Sequence, residues 1–492
     1  TSGTWSAGVA PGQVGALTAG SLTLGASSTS LFDLGVVGVV GGTNDLVVVN
    51  NNLTLDGTLI VNPLAGWHIG TGSFRLFNYG GALTDNGLEL GGALLTPPAD
   101  VTYTVNTTVA NQVTLDIGYT GEFNWDGNGA PVDGIIQGGD GTWNAGNTNW
   151  TNSDALFNLA WVDSTATVAN FGGASGGGAV TVERTRTFGT LNFTATGYTL
   201  GGAGDLAMNG GIVNVTAEQA TINVAINGAG GLTKNGSGEL VLGTANGYTD
   251  GTTVNGGVLT MAANGATGTG TVTLADGTTL RSTVDITHAN AVNMLGTGTF
   301  DILGAEFVQN GLVSGGLLLK SGAGRLTLAN GANDYAGGTD ITNGTVAVAT
   351  DGALGTGNIR FSGLGGTLET LGSFTTAKSV TLDAAGVINT NANTNRFDGL
   401  VSGDSTLTKI GSGTLILTNT NSYAGGTFLT EGTIQISNGS AMGSGTLTAA
   451  GGTTLIAGLA INTPPMTLAQ DIVLTGGNLT INLLGSNYGV NV

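Results

Sequence analysis

The sequence predicts an all-β solenoid, a chain of short strands joined by tight corners. Two observations carry that prediction. The first is internal repetition: segment 232–274 returns in the same internal register from near Leu318 and again from near Leu407. The second is composition: among 492 residues there are 91 Gly, 7 Pro and 9% charged residues, while the 40% that are hydrophobic fall in alternating runs too short for buried helices. Glycine at this level without a three-residue period excludes collagen, and the patterned hydrophobic runs argue against disorder.

The repeat explains each of its own positions. In the first copy Lys234, Gly236, Gly238, Leu240 and Leu242 lead to Asn246, Tyr248, Gly251 and Thr252, then to Gly257, Leu259 and Met261. The second copy has Lys320, Gly322, Gly324, Leu326, Leu328, Asn333, Tyr335, Gly338 and Thr339; the third has Lys409, Gly411, Gly413, Leu415, Leu417, Asn421, Tyr423, Gly426 and Thr427. From the Gly-Thr pair onward the copies align without a gap, and the pairs recur 87 and 88 residues apart. Alternation in Thr414-Leu415-Ile416-Leu417 puts Leu415 and Leu417 on one strand face, expected to point inward with Leu240, Leu242, Leu326 and Leu328. The glycines belong at corners with positive φ. The asparagines are expected to tolerate the same left-handed region and to bond their own backbone. The spacings Leu240 to Leu259 and Leu415 to Ile434 suggest roughly 20 residues per coil.

The order Leu-Thr-Lys-x-Gly-x-Gly-x-Leu-x-Leu, then Asn-x-Tyr-x-Gly-Gly-Thr, then a further Gly-Thr step, resembles the passenger-associated transport repeat of bacterial autotransporters. It is fullest in the third copy; Leu319 replaces Thr in the second, and Asp250 replaces a Gly in the first. The segment 12–79, with Gly41, Gly42, Thr43, Asn44, Asp45 and Leu46 and later Leu55, Asp56, Gly57, Thr58 and Leu59, is also similar to autotransporter passengers. The resemblance implies a right-handed parallel β-helix outside the cell. The fold expected is thus all-β, a right-handed parallel β-helix with a Trp-rich irregular segment.

Taken in order, residues 1–121 alternate strand runs with turn clusters, as at 21–24, 45–49, 53–55, 58–61, 74–77 and 112–115, with Pro97-Pro98 in a loop or at an edge. Residues 122–175 hold Trp125, Trp143, Trp150 and Trp161 and the poorest strand patterning, and read as a junction or inserted lobe. Exposed indoles there could stack on sugars; the competing reading, which family passengers favour, is that they fill an irregular coil. Residues 176–492 return to strand and turn and contain the three repeats, with no Pro between Pro131 and Pro464. Pro464-Pro465 marks a loop before strands at 471–474 and 478–481.

A formal charge of −20 with only 11 Lys plus Arg disfavours nucleic acid and anionic membranes, which need a basic footprint. Absence of cysteine excludes disulfides and thiolate metal sites. No apolar run of membrane-spanning length occurs, and neither an export signal before Thr1 nor a barrel after Val492 is visible, so an origin within a longer exported precursor is expected.

Residues that suggest chemistry are few. His68 and His288 lie in no zinc or triad spacing and read as surface or turn residues. Ser237 is a turn residue, since its counterparts are Ala323 and Ser412. Gly201, Gly202, Ala203, Gly204 and Asp205 resemble a calcium nonapeptide but have no tandem partners. Arg184 and Arg186 after Glu183 suggest salt pairing on a solenoid edge. Lys234, Lys320 and Lys409 are three of four lysines, read either as a row of cations on one face or, preferably, as snorkelling turn residues. No catalytic, cofactor-binding or metal-binding residue is assigned, and no cofactor is expected. The function expected is non-enzymatic: an extracellular or cell-surface stalk, fibre or surface-layer element whose partners are copies of itself or neighbouring modules end to end. The alternatives are an adhesin binding surface glycans and, less favoured, a β-helical polysaccharide lyase or hydrolase.

Overall fold

The computed structural model describes residues 3–127, 132–144, 148–458, 466–468 and 470–483. The chain divides into two compact units, Thr1–Asp205 and Leu206–Val492. No helix among the described residues is long and apolar enough to cross a membrane.

In the unit Leu206–Val492 the described strand pairings are parallel, and like stacks on like. Leu240 pairs with Leu259 and Leu259 with Leu280; Leu415 pairs with Ile434, Ile434 with Leu455 and Leu455 with Ile481. The first step of each ladder is the spacing read from sequence as one coil. Leu240, Leu242, Leu326, Leu328, Leu415 and Leu417 are all at most 1% exposed, so the alternating residue of each short strand fills the interior. Corner glycines allow the turns: Gly236, Gly322 and Gly411 have φ of 82°, 72° and 82°. A Cβ at Gly236 would lie 2.2 Å from the carbonyl oxygen of Val215 in the coil below.

The polar residues of the repeat form a buried network that ties coils together. The side-chain oxygens of Asn246, Asn333 and Asn421 accept from the amides of Ile226, Val313 and Val401, at 2.7, 2.8 and 2.8 Å, in the preceding coil. Their amide nitrogens donate to the carbonyls of Ala266, Ala353 and Ala441, at 2.5, 2.9 and 2.6 Å, in the following one. The expectation that these asparagines adopt left-handed backbone and bond locally is therefore wrong. None has positive φ, and each bridges three coils. Tyr248, Tyr335 and Tyr423 are fully buried, with hydroxyls 2.7, 2.8 and 2.6 Å from those of Thr252, Thr339 and Thr427.

Lys234, Lys320 and Lys409 are 0% exposed, so they form neither a surface row of cations nor a snorkelling set. Each ammonium donates to backbone carbonyls at the corner of its own coil and to one in the next. Lys409 Nζ donates to Ile410 O at 2.9 Å and Gly411 O at 2.7 Å in its own turn and to Glu431 O at 3.2 Å one coil on. Lys234 and Lys320 repeat the pattern through Gly236 and Gly256 and through Gly322 and Asn343. A charge is tolerated at this depth because its donors meet acceptors.

The unit Thr1–Asp205 begins with longer coils. Ala16 pairs with Leu46 and Val47 with Phe77, so a coil here takes 30 residues, not the shorter repeat of 176–492. Sequence reading of 1–121 as uniform solenoid also needs correction. Val101–Asn106 and Gln112–Tyr119 form an antiparallel hairpin, and the second of these strands pairs antiparallel with Gly72–Tyr79. Asp100, just before the first of these strands, and Asn111, at the end of the loop that joins them, have φ of 61° and 63°. A second antiparallel stretch joins Phe123–Trp125, Trp150–Thr151 and Asn158–Leu159. The strands Ile472–Leu474 and Thr480–Leu483 form as expected; the loop expected at Pro464-Pro465 and the residues from 484 onward lie outside the described ones.

Candidate functional site

The four tryptophans of the segment 122–175 are core. Trp125, Trp143 and Trp150 are 0% exposed and Trp161 is 5% exposed. Trp143 lies 5.1 Å from Trp150 and 4.7 Å from Trp161, ring centre to ring centre, and Trp125 lies 5.0 Å from Trp150. Phe171 continues the cluster and stacks on Phe193 at 4.9 Å. Large rings fill the interior where strands are too short to stack regularly. The indoles present no face to a sugar, so the reading in which they stack on glycans is overturned and the space-filling reading holds.

The remaining singled-out residues are structural. His288 is a core residue, not a surface one: it is 2% exposed, with Nδ1 2.7 Å from Gln309 Oε1 and Nε2 3.0 Å from Thr267 Oγ1. Gln309 Nε2 donates to the carbonyls of Asn290 and Gly311, which leaves Oε1 as the acceptor for Nδ1–H. Burial lowers the His288 pKa, keeping the ring neutral. Arg186 is buried and pairs with Asp163 at 2.8 Å, a partner from a different turn than the adjacent Glu183. Asp205 accepts from the hydroxyl of Thr185. Among the described residues no three His, Cys, Asp or Glu side chains gather as a metal site.

What the sequence did not reveal is a hollow of about 480 Å³ in the first unit, lined by Val61, Pro63, Trp67, His68, Leu94, Pro97, Pro98, Tyr103, Asp154 and Leu156 among others. Its parts come from separate stretches. Pro63 closes the strand Thr58–Pro63, and a turn carries Trp67, whose amide donates to Leu64 O at 3.1 Å. The 3-10 turn Gly92–Leu95 and the rigid Pro97-Pro98 pair form one wall. The loop 152–157 forms another and is clamped to the prolines on both sides of Ala99: Asp154 Oδ2 accepts from Ala99 N at 2.8 Å, and Asn152 Nδ2 donates to Ala99 O at 2.9 Å. His68 is held from below, its carbonyl accepting from Asn158 N at 2.9 Å.

Three rings stack along the side of this hollow. Trp67 is parallel to Phe74 at 5.1 Å and to Tyr103 at 5.7 Å, with interplanar angles of 25° and 26°. Tyr103 is half-buried while Trp67 is 5% exposed. Burial lowers the His68 pKa and raises that of Tyr103, so at neutral pH the described lining residues offer a neutral imidazole, a phenol already hydrogen-bonded to Trp67 and one carboxylate, and no Lys or Arg. A second hollow of about 620 Å³ is lined by residues such as Tyr119, Glu122, Phe123, Leu159 and Val162. The Tyr119 hydroxyl there is committed to the carbonyl of Glu122 at 2.5 Å.

Comparison with known proteins agrees with the repeat. The family described as passenger-associated-transport-repeat matches residues 232–261, 318–348 and 407–436. The adhesin BmaC autotransporter of Brucella suis biovar 1 (strain 1330) is 35% identical over 421 residues, covering 82% of this chain and 12% of that protein. The chain therefore spans well under two thirds of the curated relative it matches. No solved structure matches. The chain thus carries the passenger-associated transport repeat three times on a parallel β-solenoid and is similar over most of its length to an autotransporter adhesin.

Proposed function

We propose that the chain is a non-enzymatic, cell-surface adhesin segment, acting as a stalk that carries adhesive contacts away from the cell. The observation that carries this reading is where the repeat spends its polar residues. At the repeated positions lysine, asparagine and threonine face inward and bond neighbouring coils, and tyrosine bonds the threonine of its own coil, which is scaffold work. Likeness to a protein named as an adhesin supports the adhesive half. Deleting the 492-residue stretch in frame from its precursor and counting bacteria attached to host cells tests it. Reduced attachment with unchanged surface display is expected; full attachment overturns the adhesive role.

End-to-end stacking is part of the same proposal. Ile472–Leu474 and Thr480–Leu483 pair on one side only among the described residues, with Val473, Leu474 and Leu483 exposed by 48%, 51% and 38%. Such an edge favours a further coil, supplied by the same polypeptide or by another copy. Light scattering of the purified chain distinguishes these sources, since growth with concentration is expected only for stacking between copies.

A further inference from the structure

We propose that the hollow at Tyr103 is a glycan-binding site that takes a neutral pyranose. The inference rests on the adhesive reading above and names the ligand class. A volume of about 480 Å³ matches one or two sugar rings, within the range of small-ligand sites. The Phe74, Trp67 and Tyr103 stack braces the outermost ring from behind, so Tyr103 offers a flat, pre-ordered platform for the C–H face of a sugar. His68 and the rim residue Thr96 supply neutral polar groups for hydroxyls, and the clamped Pro97-Pro98 wall loses little entropy on binding.

Two competing ligand classes fit worse. An anionic sugar or phosphate would meet Asp154 and no cation. A quaternary ammonium needs aromatic faces converging around it, whereas Trp67 and Tyr103 lie parallel and present one face between them. The charge and the ring geometry thus both favour a flat, uncharged partner.

Saturation-transfer NMR on the whole chain, with methyl glycosides of glucose, galactose, mannose and N-acetylglucosamine as probes, tests the site. At least one glycoside is expected to receive saturation at its ring protons. Tyr103→Ala is expected to weaken that binding about tenfold, the loss of one stacking contact. Thr96→Trp, a change at an exposed rim position, is expected to plug the hollow and abolish binding with the circular dichroism spectrum unchanged. No signal from any of the four, binding of choline or sialic acid in their place, or binding that survives Thr96→Trp overturns the assignment. Attachment assays with Thr96→Trp in the precursor separate the two proposals. Attachment that persists in Thr96→Trp overturns the hollow as the adhesive contact and leaves the adhesive reading standing, whereas full attachment after deletion of the stretch sinks the adhesive reading.

Discussion

Lys320 Nζ donates to the backbone oxygen of Asn343, 3.2 Å away and one coil further along, while also meeting Ser321 O at 2.6 Å and Gly322 O at 2.8 Å. The ammonium thus closes a corner and fastens it to the next.

Removing such a cap strands carbonyls in the interior. Lys409→Met keeps most of the side-chain volume but removes the ammonium from the carbonyls of Gly411 and Glu431, while Ile410 O keeps the amide of Thr390, and a destabilisation of about 1–3 kcal/mol is expected. The urea midpoint measures it. An unchanged midpoint would mean that the caps contribute nothing.

The same lysines set a pH dependence. Burial brings the pKa values of Lys234, Lys320 and Lys409 down to about 8 from an ordinary 10.5. Between those values the folded chain has released protons that the unfolded chain still holds, so stability rises with pH across this window. Burial raises the pKa of Tyr248, Tyr335 and Tyr423 above 10.0, so stability is lost once the unfolded phenols ionise. Thermal melting from pH 7 to 11 should rise from about pH 8, pass a maximum at about pH 10, where the unfolded phenols begin to ionise, and fall beyond it. A steady fall from pH 8 would contradict the lysine contribution.

Asn421→Ala removes a bridge between the coils above and below. The Val401 amide and the Ala441 carbonyl both lose their partner, at a cost of about 2 kcal/mol or more. Hydrogen exchange at Val401 should accelerate while that at Leu240 stays unchanged, because coils contact only near neighbours. Equal acceleration at both positions would show that the bridge acts globally.

Trp150→Ala opens the aromatic cluster of the first unit and should cost about 3–5 kcal/mol. Near-ultraviolet circular dichroism should report the loss of ring packing. Glycoside binding that disappears in this variant while the near-ultraviolet spectrum is retained would restore the discarded sugar-stacking role.

Much of the second unit was legible because a two-residue alternation and fixed glycines are direct records of strand face and corner, as at Leu415, Leu417 and Gly411. The depth of Lys409 and Asn421 was not. A polar residue type does not state whether its partner is water or a carbonyl twenty residues away, and only the stacked coil supplies those acceptors. The hairpin 101–119 escaped because the alternation in Val101–Asn106 fits either an antiparallel partner or a coil. The hollow escaped for a related reason: Pro63, His68, Pro97, Tyr103 and Asp154 carry no shared spacing, and they meet only through chain reversals that no local pattern encodes.

The asparagine bridges at 246, 333 and 421 have a mechanical consequence. If a passenger is pulled from one end, coils peel away in turn, each giving up its own ladder. A peeling front that crosses a bridged coil must break one buried side-chain bond as the neighbour leaves and another as the coil itself leaves, so the bridges act as rivets in a seam. Extension under load is then expected to halt at three points, 87 and 88 residues apart along the chain, so that the solenoid lengthens in steps and not all at once.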